Sequence, residues 1–126
     1  MRRIGFWAAT AATIIAGMTA GTALAAGDPA AGQIVFKKCA VCHSPDAGVN
    51  KVGPSLHAVV DRKSATVAGF DYSAAMKAAN KTWTAAELDV YLTNPRAEVP
   101  GTKMVFVGLP VQADRDNVIA YLATLK

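Results

Sequence analysis

Apolar positions in this chain come in short runs with helical spacing, separated by stretches that keep no period. Asp28 followed by Pro29 reads as a helix start, an N-cap acid and then a residue whose fixed φ suits the first turn. The helix is expected to continue through AAGQIVFKKCAV, with Ala31, Ile34 or Val35, and Lys38 on successive turns. A long irregular stretch follows from Ser44 to about Phe70, punctuated by Pro45, Gly48, Gly53, Pro54 and Gly69. Asp71 or Ser73 can then cap a short helix through Met76 and Ala79. Thr84-Ala85-Ala86-Glu87 has capping-box spacing, and its helix carries Leu88, Tyr91 and Leu92 on one face until Asn94-Pro95 stops it. The last helix, from about Ala113 or Asp114 to Lys126, sets Val118, Tyr121, Leu122 and Leu125 at i, i+3, i+4 and i+7. Between these two lies PGTKMVFVGLP, bounded by prolines, apolar and aperiodic, a loop that needs something flat to bury against. No alternating strand pattern, repeat or low-complexity segment appears, so the expected fold class is all-α.

The N-terminus changes how the charge is read. Arg2 and Arg3 precede IGFWAATAATIIAGMTAGTALAA, and no further charge appears before Asp28. A basic start, an apolar middle and a small-residue exit describe a secretory signal peptide over residues 1–25. Ala23-Leu24-Ala25 places cleavage after Ala25, with Ala26 the alternative, and the many Ala, Gly and Thr make the run a weak uncleaved anchor. One domain, residues 26–126, remains. Two of the 13 Lys plus Arg precede residue 26 and all 9 acids follow it, which lowers the net charge from +4 to +2. No basic run interleaved with aromatics occurs, so a nucleic-acid partner is not expected. About a hundred residues make a small core, and chains of that size recruit a disulfide, metal or prosthetic group.

Both cysteines and one of the two histidines fall in KKCAVCHS, residues 37–44. A disulfide between cysteines three apart is strained and closes too small a loop to stabilise much. Tetrahedral zinc wants a second ligand pair, and His57 stands alone. A thioredoxin-like dithiol sits at a helix start in a βαβ setting, which no strand pattern here supplies. Cys-x-x-Cys-His is the attachment signature of c-type haem. On a helical turn Cys39 and Cys42 can reach the two vinyl groups on one haem edge, while His43, four beyond Cys39, comes over the iron. That arrangement alone uses all three residues, so one covalent haem c is expected, attached through Cys39 and Cys42. Haem has to be joined to an unfolded chain after export, which favours the general secretory route over the twin-arginine route that Arg2-Arg3 raises.

Iron held by His43 has a further position to fill, and Met76, Met104 and His57 are the candidates. Met104 follows Pro100-Gly101, which can bring backbone close to a planar ligand. Met76 lies in a helical pattern that suits a core methionine, and His57 suits a histidine bonded to a loop carbonyl. Spacing favours Met104 and leaves the other two open.

The following motifs stand in order along the mature chain: Gly32-x-x-x-Phe36, Cys39-x-x-Cys42-His43, Lys51-Val-Gly53-Pro54-x-Leu56-His57, Gly69-Phe70-x-Tyr72, Thr82-Trp83, Tyr91-Leu92-x-Asn94-Pro95, Pro100-Gly101-Thr102-Lys103-Met104-x-Phe106 and Ile119-Ala120-Tyr121-Leu122. With them the chain resembles the small class I cytochromes c, bacterial relatives of mitochondrial cytochrome c of the cytochrome c2 kind. The resemblance implies that Met104 supplies sulfur opposite His43, and that the Pro54 carbonyl accepts the His43 ring N–H. It implies that Arg62, Tyr72 and Trp83 tie down haem propionates, and that the Tyr91 and Thr102 hydroxyls lie near the methionine and the inner propionate. Gly32 and Tyr121 would mark a close crossing of the first and last helices. Departures are visible too. Met76 stands where the mitochondrial proteins carry an asparagine near the haem, and Ala97, Glu98 and Pro110-Val111-Gln112 replace lysines or an aromatic residue. Lys37, Lys38, Lys51, Arg96 and Lys103 remain as candidate docking cations, each equally readable as solvated surface charge.

Met/His ligation closes both axial positions to oxygen, peroxide or substrate and raises the reduction potential. The expected function is a soluble periplasmic one-electron carrier, a monomer and not an enzyme, that docks transiently at its haem edge. The resemblance suggests a cytochrome bc complex or a periplasmic dehydrogenase as donor, and a terminal oxidase or photosynthetic reaction centre as acceptor. The competing reading is a peroxidase-like haem enzyme or sensor whose sixth ligand is displaceable.

Overall fold

The computed structural model describes residues 27–126, so the segment read as a signal peptide, with its cleavage point at Ala25 or Ala26, lies outside the described residues. The described residues form helices α1 (Pro29–Phe36), α2 (Ala74–Ala78), α3 (Ala85–Thr93), α4 (Pro95–Glu98) and α5 (Gln112–Leu122), joined by ordered loops. Their one extended pairing is an isolated bridge between Lys63 and Thr82. None of these helices is long and apolar enough to cross a membrane.

Asp28 caps α1 by accepting the Ala30 N–H at 2.9 Å, with Pro29 in the first turn as its fixed φ predicts. The helix ends at Phe36, short of the expected Val41. The amides of Lys37, Lys38 and Cys39 bond three residues back instead of four, a tightening that closes the α-helix. Cys39 to His43 then forms a turn of its own, with the amides of Cys42 and His43 both donating to the Cys39 carbonyl at 3.0 and 2.9 Å.

Ser73, not Asp71, caps α2, accepting the Met76 N–H at 3.0 Å. Thr84 caps α3 through the Glu87 N–H at 3.1 Å, but only half of the capping box forms. The Thr84 amide donates to the Thr82 carbonyl, and the Glu87 carboxylate turns to Lys81 instead. Asn94-Pro95 ends α3 and also begins α4, because Asn94 accepts the Ala97 N–H and Pro95 occupies the first helical position. Nothing in the apolar spacing marks so short a helix. α5 starts directly after Val111 without a side-chain cap, and it stops at Leu122, before the expected Lys126. Beyond it the Thr124 and Leu125 amides bond three residues back, and the Leu125 carbonyl accepts the Ala58 N–H at 2.6 Å.

α1 and α5 cross at Gly32, where a Cβ would fall 1.9 Å from the Asn117 carbonyl oxygen, so only glycine fits. Phe36 and Tyr121 stack with ring centroids 5.0 Å apart, and the Asp28 amide donates to Asn117 Oδ1 at 2.8 Å. The core comprises Phe36, Val59, Trp83, Leu88, Tyr91, Val99, Leu109, Val118, Ile119 and Leu122. Amid it lies one buried charge that periodicity does not reveal. Arg115 of α5 pairs with Asp89 of α3, Nε to Oδ1 at 2.7 Å, and so joins the two helices.

The hydrogen bond from Arg115, seconded by one from Gln112, holds the Asp89 carboxyl below the usual carboxylate range against the upward push of burial. The folded chain therefore binds this proton more weakly than the unfolded chain does. The contribution is complete at neutral pH and is lost as pH falls through the Asp89 titration. Asp89→Asn is expected to lower the unfolding free energy at pH 7 and to make its decline on acidification shallower. Denaturant titrations of both proteins at neutral pH and at about pH 3 check this.

Candidate functional site

The helices and loops enclose a cavity of about 400 Å³, a volume in the range of sites for small organic molecules and cofactors. Cys39, Cys42 and His43 from the turn after α1 line it together with Pro54 and Arg62 from the long loop. Tyr72, Trp83, Tyr91, Thr102 and Met104 line it too, so all ten residues singled out in the sequence meet in one place. Its apolar walls are completed by Leu56, Val59, Phe70, Leu88, Phe106 and Val118. Periodicity marks Leu88 and Val118 as core, but the loop residues among them carry no such signal.

Two backbone bonds bring the long loop onto the cysteine turn. The Gly53 amide donates to the Cys42 carbonyl at 2.8 Å, and the Leu56 amide to the Ser44 carbonyl at 2.9 Å. They bracket Pro54, whose carbonyl is aimed at His43 Nδ1, 2.7 Å away. A carbonyl can only accept, so Nδ1 carries the proton and Nε2 keeps its lone pair. Burial pushes the His43 pKa down, opposed by the Pro54 bond, and the charges of Lys51 and Arg62 push it further down. The ring is therefore a neutral imidazole with one free nitrogen, as a metal ligand requires. Gly53 packs so close that a Cβ there would lie 2.4 Å from His43 Cε1.

On another wall, Trp83 and Arg62 are brought together by backbone pairing, the Trp83 amide donating to the Arg62 carbonyl at 2.8 Å. Arg62 Nη1 and Nη2 donate to the carbonyls of His57 and Ser55 at 2.8 and 3.2 Å, while its buried Nε finds no partner among the protein atoms. Arg62 lines the cavity, and a buried guanidinium N–H without a partner calls for an acceptor. The Tyr72 hydroxyl accepts the Val67 N–H at 3.0 Å and keeps its own proton to donate. The Tyr91 hydroxyl lies 3.9 Å from the Met104 sulfur, and the Met104 amide donates to the Thr102 hydroxyl at 3.2 Å. Burial pushes the Tyr91 phenol up, against a smaller opposing pull from the Thr102 hydroxyl.

Of the other candidate axial residues, His57 is not part of the cavity wall. Its Nδ1 lies 3.3 Å from the Pro45 carbonyl, the loop contact that its sequence setting allows. Met76 does line the cavity. Cys39 and Cys42 are not joined in a disulfide, and among the described residues no three His, Cys, Asp or Glu are placed to hold a metal ion together. Zinc therefore has no site there, and a haem suits what is present. Two thiols, one free imidazole nitrogen, an apolar cavity and an unpartnered guanidinium N–H match its vinyls, iron, ring and carboxylates in turn.

The profile of the cytochrome c family matches residues 29–126. "Cytochrome c-type cyt cy" of Rhodobacter capsulatus is 59% identical over 100 residues, covering 79% of this chain and 50% of that protein. Cytochrome c2 of Rhodoblastus acidophilus is 54% identical over 102 residues, covering 80% of this chain and 95% of its own length. In the solved structure of cytochrome cH from Methylobacterium extorquens, 99% of that chain superposes on 78% of this one, with a TM-score of 0.74 and 42% identity. This chain thus spans half the length of the first relative and nearly all of the other two.

Gly53→Ala tests the His43 geometry. The added methyl must displace the imidazole, lengthening the bond to Pro54. The haem-loaded variant is expected to show a shifted Soret band and a high-spin fraction that the parent lacks. An unchanged spectrum would mean that the close approach at Gly53 does not set the ring.

Proposed function

The chain belongs to the cytochrome c family and carries a covalent haem c, and on that footing we propose that it is a soluble periplasmic carrier of single electrons. What supports this most is that one cavity is lined at once by Cys39, Cys42, His43 and Met104. In this reading Cys39 and Cys42 would hold the haem by thioethers, and His43 Nε2 and the Met104 sulfur would be its iron ligands. Bound there, the haem supplies an Fe(III)/Fe(II) couple.

The chain's residues do the rest. Pro54 keeps the His43 proton on Nδ1 and the ring in place, so neither redox state demands a new ligand. Arg62, with Tyr72 and Trp83 beside it, would meet a propionate. Leu88, Tyr91, Phe106, Val118 and Leu122 keep water from the cavity, and an apolar surround disfavours the more positive oxidised iron. With His43 and Met104 both as ligands, no position would be left for a substrate, and transfer would be outer-sphere.

Lys38, Val52, Lys103 and Val105 border the cavity, and both valines are highly exposed. Lys103 Nζ is engaged by Asp71, 3.1 Å from its carbonyl and 3.4 Å from its carboxylate, and Lys51 Nζ lies 2.6 Å from the Ala40 carbonyl. Arg96 sits on α4 and does not line the cavity. The docking face is therefore part apolar, with Lys37 and Lys38 as its free charges and Lys51 held back against the Ala40 carbonyl, and it suits a small, short-lived contact. Partners are a membrane redox complex or a periplasmic dehydrogenase. Export rests on residues 1–25.

Oxidised protein is expected to show a sulfur-to-iron charge-transfer band in the red and to resist cyanide. Met104→Ala should abolish the band, lower the reduction potential and admit cyanide quickly. A band that survives in Met104→Ala would move the ligand to Met76. Rapid cyanide binding to the unaltered protein would favour the enzyme or sensor reading instead.

A further inference from the structure

The segment that carries Met104 is a strap with little to brace it. Among the described residues, no backbone–backbone hydrogen bond forms from Lys103 to Gly108. Met104 and Phe106 are half-buried, while the alternating Val105 and Val107 are 88% and 93% exposed. Between its ends the strap is held by side-chain contacts alone, Lys103 to Asp71 and Tyr91 to Met104, so its backbone is fixed chiefly at the ends. At the near end the Thr102 amide donates to the carbonyl of buried Val99 at 3.0 Å. At the far end the contacts converge on Leu109, whose side chain is fully buried and whose amide donates to the Leu92 carbonyl of α3 at 2.7 Å.

The Leu109 carbonyl accepts from Arg115 Nη1 at 2.7 Å, within the buried cluster that joins α3 to α5. Arg115 is only 7% exposed. Its Nη2 donates to Gln112 Oε1 at 2.6 Å, and Gln112 Nε2 closes the network on Asp89 Oδ1 at 2.8 Å. A buried guanidinium persists only where its donors are met, and these are met by α3, α5 and the strap end together. Beside it Gly108, at φ 100°, is pressed on α3 so closely that a Cβ would lie 2.3 Å from the Thr93 carbonyl oxygen.

We propose that Arg115 is a positioning residue for Met104: by holding the Leu109 carbonyl it fixes the far end of the strap and sets how readily the sulfur leaves the iron. This rests on Met104 being the sixth ligand. With the carbonyl released, the free segment lengthens toward Gln112, where α5 begins, and conformations with Met104 withdrawn gain entropy.

Imidazole reaches the iron only when the sulfur has left, so its binding to oxidised, haem-loaded protein reports strap opening. Arg115→Lys keeps a charge near Asp89, but one ammonium cannot span three acceptors. Its imidazole association constant and binding rate are expected to rise roughly tenfold, the scale of losing a charge-assisted hydrogen bond. Asn117→Ala, on the same helix, loses the bond to Asp28 and lowers Tm without touching the strap, and its imidazole binding should match the parent's. Equal imidazole binding in Arg115→Lys and the parent, or the same rise in Asn117→Ala, would overturn the proposal. If Arg115→Lys does not fold, Gln112→Ala should give a smaller rise in the same direction, and no rise would count equally against it. Met104→Ala separates the two claims. A surviving sulfur-to-iron band there defeats the ligand assignment, whereas a lost band with unchanged imidazole binding in Arg115→Lys defeats only the role of Arg115.

Discussion

The core of this protein is built around a cavity, and that constraint governs the rest of the structure. Trp83, Leu88, Tyr91, Val118 and Leu122 belong both to the buried core and to the cavity wall. Left without an occupant, the cavity of about 400 Å³ deprives these side chains of packing partners on one face. A domain of this size has a total stability of only about 5–15 kcal/mol. The polypeptide therefore has no margin to close its core unaided, and the covalent haem is as much a core element as any helix. This accounts for the short helices and long ordered loops. They pack on a central group more than on one another, apart from α1 on α5.

The two sides of the cavity solve different problems. The side of His43 is local in sequence and rigid: two backbone bonds bracket Pro54, and glycine is required at position 53. The side of Met104 is assembled from afar, from a strap whose ends are fixed by α3, α4 and α5. With a rigid side at His43 and a strap held mainly at its ends at Met104, the proposed ligation would leave the sulfur as the ligand freer to yield. Arg115, Asp89 and Gln112 lie outside the cavity wall, and Arg115 meets the end of the strap at the Leu109 carbonyl.

The parts legible in the sequence were those fixed by local chemistry. Asp28-Pro29 and Thr84 cap helices because their side chains reach amides two or three residues on. Cys39, Cys42 and His43 share a turn because one carbonyl receives two amides. What depended on distant partners was hidden. α1 stops at Phe36, before the tighter turn that becomes the cysteine anchor. Glu87 leaves its capping box because Lys81 competes for its carboxylate. α5 ends early because the Thr124 and Leu125 amides bond three residues back, while Ala58, far away in sequence, takes the Leu125 carbonyl. Arg115 sits in a polar-looking stretch, ADRDN, and only the fold reveals it as buried. Lys51 and Lys103 read as free surface cations, yet both ammonium groups are held by groups distant in sequence.

The central claim, that the haem completes the core, is tested most directly by comparing unfolding of the haem-loaded chain with that of Cys39→Ala/Cys42→Ala prepared without haem. Far-UV circular dichroism over a denaturant titration is predicted to show one cooperative transition for the loaded chain. The haem-free chain should show little helix and no transition. A haem-free chain with native helix content that unfolds cooperatively would contradict the account.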